Sequence, residues 1–359
     1  MSEERKLKVI LSGGGTGGHI YPAVAVAEAL GRRLDDRLDI LFVGAEGKME
    51  MEKVPALGYR IVGLPIAGLQ RRLDWRNLAV PFKAVKSIRM AKRIIRDFGA
   101  DAVVGFGGYA SAPVLWAAQR MGVPTLIQEQ NSYAGMTNKI LASGARRICV
   151  AYEGMERFFP ADRIVLTGNP LRGRFAASGD AAALKAEALA HFGLEAGKPV
   201  VLVVGGSLGT RTLNEAMKAH ADEIVREGRF QVIWQTGKYY EREMDEFMRG
   251  RDARGIWRGA FIERMDLAYA AADIVVARSG AGTVSELCLV GKAVVFVPSP
   301  NVAEDHQTKN AMALADRGAA LVVPDREAVA RVFSEAGRLL ADDAMRSEME
   351  KNIRALAVA

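Results

Sequence analysis

Thirteen short apolar runs punctuate the chain, separated by segments with helical spacing. KVILSG (8–13), DILFVG (39–44), YRIVGL (59–64), AVVGFG (102–107), PTLIQEQ (124–130) and RICVAY (147–152) form a first series. RIVLTG (163–168), PVVLVVGG (199–206), FQVIWQTG (230–237), IWRGAF (256–261), DIVVARSG (273–280), AVVFVP (293–298) and AALVVP (319–324) form a second. The runs are apolar on both faces rather than alternating, which predicts strands buried on both sides of parallel sheets. With helices between the strands, the expected class is α/β with right-handed crossovers.

Each series contains a strand, a glycine loop and a helix: VILSGGGTGGH and VLVVGGSLGTRTLNEAM, the loops 192 residues apart. This weak repetition predicts two Rossmann-like domains, as does a length of 359 residues at roughly 150 per domain. Glycine and proline in LTGNPLRGRF (166–175) mark the boundary, giving a first domain over 1–168 and a second from 169. Ligands of such sheets bind beyond the carboxyl ends of the strands, so a cleft between the domains is the expected active site.

Composition narrows the classes. Two distant cysteines, Cys149 and Cys288, argue against a disulfide framework or a zinc site and fit a reducing cytoplasm. The first apolar run is too short and too glycine-bound for a secretory signal, and no stretch approaches the roughly 18 apolar residues of a membrane span. The net charge of +7 is concentrated. Residues 71–96 hold nine Lys/Arg against the single acid Asp74, so this segment carries +8 and the remainder sums to −1.

The first glycine loop has five glycines in six residues, followed by His19 and a helix expected to begin near Pro22. Glycines let backbone N–H groups approach an anion, and a helix N-terminus adds partial positive charge. Gly13, Gly15 and Gly18 satisfy G-x-G-x-x-G, with Glu46 as a loose ribose-binding candidate. A dinucleotide-dependent dehydrogenase is therefore one reading, but it leaves the second domain's motifs unexplained. A helix N-terminus disfavours the imidazolium, so His19 is expected to be neutral at pH 7 and able to accept a proton. Binding phosphate or fixing the loop is its alternative role.

ARSGAGTVSELCLVGKAVVFVPSPNVAEDHQTKNAMAL (277–314) is the most informative segment. A strand ends at Arg278, SGAGT turns, and a helix follows with Ser279 or Thr283 expected as its cap. Its N-terminus can hold a diphosphate, and Glu286, one turn in, suits paired ribose hydroxyls. Asp305, His306 and Gln307 stand at the mouth of the next helix, where Gln307 offers both donor and acceptor to a sugar. Capping explains Ser279 or Thr283 but does not require Glu286 and Gln307 at successive helix mouths.

Seven ordered blocks resemble the MurG family of UDP-N-acetylglucosamine-dependent glycosyltransferases. They are GGTGGHIYPAVAVAEAL, GFGGYASAPVLWAA, IQEQNSYAGMTNKILA, TGNPLR, VVGGSLGTRTLNEA, RSGAGTVSEL and DHQTKNA, covering nearly the whole chain. The resemblance implies a GT-B fold, with the donor domain over 169–344 and a C-terminal helix, about 345–359, returning to the first domain. It implies that Thr16, Gly17 and Gly18 border the cleft and Asn131 meets the donor sugar. Arg172 and Ser207 approach the diphosphate, and Ile262 contacts uracil through its backbone. Ala281, Gly282, Thr283, Val284, Ser285 and Glu286 cradle phosphate and ribose, with Gln307 on N-acetylglucosamine. Gly14 and Gly15, with Gly107, Gly108 and Tyr109 in the Gly105–Tyr109 loop, receive the acceptor pyrophosphate. Ser12 and Thr210 stand where the family often has alanine, and neither is expected to touch a ligand.

The implied reaction is an inverting transfer to the 4-hydroxyl of N-acetylmuramic acid in lipid I, giving lipid II. His19 is the favoured base and Glu129 the second. The chain contains no D-x-D triplet, so no metal or other cofactor is expected, and helix N-termini with Arg172 stabilise the leaving diphosphate. In VPFKAVKSIRMAKRIIRDFG, Phe82, Val85, Ile88, Ile95 and Phe98 share one helical face beside Lys83, Lys86, Arg89, Arg93 and Arg96. With LPIAGLQRRLDW (64–75) this predicts contact with anionic lipids on the cytoplasmic face of the inner membrane. No reader motif accompanies the charge, so nucleic acid is not expected. A sugar-nucleotide-binding protein without catalysis, and a GT-B enzyme acting on a diglycosyl lipid or polyketide, are the rival readings.

Overall fold

The computed structural model describes residues 5–66, 80–171, 180–206, 209–302 and 305–358. The chain divides into two compact units, Met1–Arg172 and Gly173–Ala359.

The first unit contains β1 (Leu7–Ser12), α1 (Gly17–Leu34), β2 (Leu38–Ala45), α2 (Glu50–Ala56), β3 (Ile61–Leu64), α3 (Val80–Phe98) and β4 (Ala102–Gly105). It continues through α4 (Ser111–Arg120), β5 (Thr125–Glu129), α5 (Met136–Leu141), β6 (Arg147–Val150) and β7 (Ile164–Leu166). The sheet is wholly parallel in the order β3-β2-β1-β4-β5-β6-β7. RIVLTG, grouped above with the later runs, thus closes the first sheet by pairing with β6. Successive residues of β1 enter opposite layers. Ile10 packs with Ala91, Ile95 and Leu115 of α3 and α4. Val9 and Leu11 pack with Ala23, Val24 and Ala27 of α1. Coverage on both faces explains the absence of polar alternation.

The second unit contains α6 (Ala181–Phe192), β8 (Val200–Val204), α7 (Arg211–Glu227), β9 (Gln231–Gln235), α8 (Glu241–Met248), β10 (Ile256–Gly259) and α9 (Met265–Ala271). There follow β11 (Ile274–Ala277), α10 (Ala281–Val290), β12 (Ala293–Phe296), α11 (His306–Ala315), β13 (Leu321–Val322), α12 (Ala328–Ala341) and α13 (Asp343–Ala355). Its parallel sheet runs β10-β9-β8-β11-β12-β13. Val201, Val203, Val232 and Trp234 meet Leu213 and Met217 of α7 and Val332 and Phe333 of α12. The buried Trp234 indole donates to Asn214 Oδ1 at 2.9 Å, leaving no stranded polar hydrogen in that core. α13 packs on α10, α12 and β12 and buries Met349 and Ile353.

Candidate active site

In the first sheet the strand order reverses between β1 and β4, so the loops leaving their carboxyl ends lie side by side. Phe106 N–H donates to the Ser12 carbonyl at 2.8 Å and carries the pairing one residue further. The loops then touch closely. A Cβ on Gly108 would stand 2.5 Å from the Gly14 carbonyl oxygen, and Gly108 has φ +75°. Only glycine fits there. Gly15 and Gly107 are also left-handed, and the Tyr109 ring packs over Gly15.

α1 starts at Gly17, ahead of the Pro22 start expected above. Pro22 sits inside the helix, where its missing N–H falls opposite the Gly18 carbonyl, and the side-chain-free turn accommodates it. Thr16 is the extended N-cap, its hydroxyl making no capping bond. The N–H groups of Gly17 and Gly18 make no hydrogen bond among the described residues. An open helix N-terminus of this kind is an anion site.

His19 occupies the first turn of α1, with Nδ1 3.0 Å from the Gly14 carbonyl oxygen and 3.3 Å from Thr16 Oγ1. A carbonyl only accepts, so Nδ1 carries the hydrogen, and in the neutral ring Nε2 keeps its lone pair. Burial lowers the imidazole pKa; the Gly14 carbonyl and the charges of Glu129 and Glu50 oppose that shift without reversing it. The ring is therefore neutral near pH 7 and able to take a proton at Nε2.

Glu129, the second base candidate, is 1% exposed. Its Oε1 accepts from Asn131 N and Nδ2 at 3.1 and 3.3 Å, and its Oε2 from Gly135 N and Asn138 Nδ2 at 3.0 and 2.8 Å. The carboxylate thus shapes the turn that holds Asn131. Another carboxylate went unread in the sequence. Glu50, at the head of α2 and also 1% exposed, accepts from Gly15 N–H and from Ala45 N–H. Glu46, the ribose candidate of the dehydrogenase reading, instead continues the strand pairing by donating its N–H to the Leu64 carbonyl.

The second unit repeats the geometry. Its sheet reverses between β8 and β11, and beyond them lies a cavity of about 430 Å³. Its walls include Gly205, Gly206, Gly209, Thr210, Arg211, Thr212, Tyr240, Arg278, Gly280, Thr283, Ser299, Asn301, Gln307 and Asp325. Two helices begin on this wall, α7 and α10, neither with a side-chain cap nor an acid in its first turn. Gly280 is the N-cap of α10, correcting the assignment of Ser279 or Thr283. The Ser279 hydroxyl is diverted to the Gln307 carbonyl at 2.8 Å. The N–H groups of Arg211, Thr212 and Leu213 on α7, and of Gly282 and Thr283 on α10, make no hydrogen bond among the described residues. Two converging sets of free donors suit a diphosphate.

Arg278, read only as the end of a strand, is the principal charge of this wall. It pairs with Asp325 at 2.6 Å and donates to the Val297 and Pro298 carbonyls at 2.8 and 3.0 Å. Thr210 Oγ1 lies 3.4 Å from its Nε, and Thr210 lines the cavity beside this arginine. Gln307 Oε1 accepts from Ser299 N at 2.8 Å, which turns its amide nitrogen into the available donor.

Glu286 lies outside the cavity wall, with Oε2 accepting from the buried Tyr269 hydroxyl at 2.9 Å. Burial raises its carboxyl to about 7 against the opposing Tyr269 hydrogen bond. Ala281, Gly282, Val284 and Ser285 contribute the same helical turn; Val284 points into the core, so only its main chain is on offer. The Ile262 side chain is buried, while its main-chain N–H and C=O make no hydrogen bond among the described residues. Arg172 and Ser207 lie outside the described residues.

The glycosyltransferase family 28 N-terminal domain matches residues 9–150, and the family 28 C-terminal domain matches 200–358. The chain is 52% identical over 353 residues to the UDP-N-acetylglucosamine–N-acetylmuramyl-(pentapeptide) pyrophosphoryl-undecaprenol N-acetylglucosamine transferase of Parabacteroides distasonis, covering 98% of this chain and 95% of that one. The enzyme of the same name from Bacteroides thetaiotaomicron is 51% identical over 356 residues, covering 99% and 95%. Among solved structures, MurG of Acinetobacter baumannii superposes with a TM-score of 0.78 at 31% identity, covering 98% and 95%. UDP-GlcNAc 2-epimerase of Neisseria meningitidis, at 13% identity and a TM-score of 0.64 over 98% and 96%, shares the fold alone. Two glycine-loop sheets in the expected order and full-length identity of this degree lead to one conclusion: the chain belongs to glycosyltransferase family 28 and, within it, to the MurG family.

Proposed function

We propose that the protein transfers N-acetylglucosamine from UDP-N-acetylglucosamine to the 4-hydroxyl of N-acetylmuramic acid in lipid I (undecaprenyl-pyrophosphoryl-MurNAc-pentapeptide), releasing UDP and forming lipid II for peptidoglycan synthesis. The observation that carries this reading is the 52% identity, over nearly the full length of both chains, to a transferase named for that reaction. The transfer is a single inverting displacement giving a β-1,4 linkage. The 4-hydroxyl attacks the anomeric carbon as His19 Nε2 takes its proton, and the bond to UDP breaks. Asn131 and the amide nitrogen of Gln307 bind the donor sugar.

Charge develops on the departing diphosphate. The free N–H groups of α7 and α10, with Arg172, Ser207 and Arg278, offset it, and fixed donors of this kind cost no reorganisation during reaction. Glu286 accepts from the ribose hydroxyls, and the Ile262 main chain pairs with uracil. Gly14, Gly15, Gly107, Gly108 and Tyr109 receive the acceptor pyrophosphate, while Thr16, Gly17 and Gly18 border the donor.

The acceptor is a lipid, and α3 supports a peripheral site on the cytoplasmic face of the inner membrane. The apolar face of α3 is only partly covered: Ile95 is buried, while Phe82 is 80% and Val85 50% exposed beside Lys83, Lys86 and Arg89. On the neighbouring α4, Trp116 lies under the charges of Lys92 and Arg120. Leu64, the first residue of LPIAGLQRRLDW, is buried at the end of β3, and residues 67–79, with Arg71, Arg72, Trp75 and Arg76, lie outside the described residues.

Incubation with UDP-N-acetylglucosamine and a lipid I analogue, followed by mass detection, should yield the disaccharide product at a rate unchanged by chelator. UDP release without disaccharide would reject the acceptor assignment. Activity abolished by chelator and restored by magnesium would reject metal-independent transfer.

A further inference from the structure

We propose that Glu50 is a positioning residue for His19, acting through the peptide group that joins Gly14 to Gly15. The N–H of that peptide is held by the Glu50 carboxylate, 3.1 Å from Oε2 and 3.3 Å from Oε1. The carbonyl of the same peptide accepts from His19 Nδ1 at 3.0 Å. Ala45 N–H, 3.0 Å from Oε1, fixes the carboxylate from the other side. Glu50, one peptide unit and His19 thus form a continuous hydrogen-bonded chain ending at Nε2.

Space filling alone does not call for an acid here. Glu50 is buried and has no cationic partner among the described residues, a costly arrangement that an apolar side chain would avoid. Placed behind the peptide, the negative charge polarises the Gly14 carbonyl and favours the imidazolium that forms when Nε2 takes the substrate proton. Glu50 itself exchanges no proton. The other groups near the ring are Glu129 from β5, occupied by its four donors, and Thr16 at the cap; Tyr109, after β4, packs on Gly15 instead.

The catalytic part of this inference rests on His19 being the base, but the coupling is measurable without turnover. NMR of the full chain with labelled histidine should find the Nδ1–H tautomer and a lower His19 pKa in Glu50→Gln than in the unsubstituted protein. The same variant should lose about 10- to 100-fold in kcat, as for partners that orient a reacting group. The KM of both substrates should stay within about twofold, and the acid limb of the rate profile should move down with the His19 titration. Adding Glu50→Gln to His19→Ala should cost nothing further. An Nε2–H tautomer, an unchanged His19 titration, or a loss confined to KM would overturn the proposal. His19→Ala with full turnover would instead remove His19 as the base, leaving the titration result to decide the coupling. Should Glu50→Gln not fold, the Gly15 amide resonance of the unsubstituted protein must follow His19 protonation; an indifferent Gly15 amide overturns the chain.

Discussion

At the scale of single residues, Glu286 gives the sharpest pH signature. Its carboxyl titrates at about 7 in the folded protein against an ordinary 4.5, because burial disfavours the charged form. The folded state therefore holds a proton that the unfolded state has released between those values. The stability this group contributes is complete below pH 4.5 and is lost as pH rises through 7. The proposed ribose contact has the opposite sign, since only an ionised carboxylate can accept from both hydroxyls. UDP affinity, measured by calorimetry, should rise from pH 6 to pH 8 while the Tm of the free protein shows the falling contribution. Glu286→Gln should flatten both profiles and weaken UDP about tenfold or more, as expected for a hydrogen bond to a charged group. A pH-independent affinity would place the ribose elsewhere. Arg278 makes a complementary case: Arg278→Met should strand Asp325 and lower Tm, and, if the cavity holds the diphosphate as proposed, weaken UDP more than uridine. Equal loss for both ligands would make its role purely structural.

At the scale of elements, each unit carries helix starts that their own side chains do not cap. α1, α7 and α10 each follow a glycine turn, and each leaves first-turn N–H groups without a hydrogen-bond partner among the described residues. Replacing Gly14 with alanine should test the turn before α1, since the new methyl would overlap the Glu50 carboxylate. We expect turnover to fall on the order of 100-fold, the cost of displacing a reacting group by about 1 Å, with UDP affinity retained. Normal turnover would mean that the loop geometry is not limiting. The strands were legible because apolar runs bounded by glycine report two-sided burial directly. Helix starts were not. Pro22 and Thr283 look like first-turn and capping residues by type, yet Gly17 and Gly280 occupy those places, since a ligand-binding terminus omits the usual cap.

At the scale of the whole molecule, two parallel sheets of seven and six strands reproduce the expected pair of Rossmann-like units, and the contact division at Arg172 falls within the glycine and proline segment at 166–175. What the sequence concealed were partnerships across distance. Glu50 reaching Gly15, Arg278 reaching Asp325 and Tyr269 reaching Glu286 depend on which loops the sheet order brings together. Among the described residues no helix is long and apolar enough to cross a membrane, and the proposed lipid contact is assigned to the surface of α3. Binding to vesicles containing phosphatidylglycerol should exceed binding to neutral vesicles and weaken with salt, each nearby cation contributing about 1 kcal/mol. Phe82→Glu should reduce it further. Binding indifferent to both lipid charge and salt would rule out this surface.

The seat of Glu50 carries one more implication. Its carboxylate fills the room that a side chain on Gly14 would need, and its Cγ would lie 2.6 Å from a Cβ on Gly44. Three positions, in the loop after β1, in β2 and at the head of α2, are thereby bound into a single steric choice. A chain that keeps the acid is confined to glycine at 14 and 44, whereas one that shortens it frees both sites at once. Alanine at 44, harmful beside Glu50, should become tolerable in a Glu50→Ala background, where tolerance at one locus is bought by surrender of another.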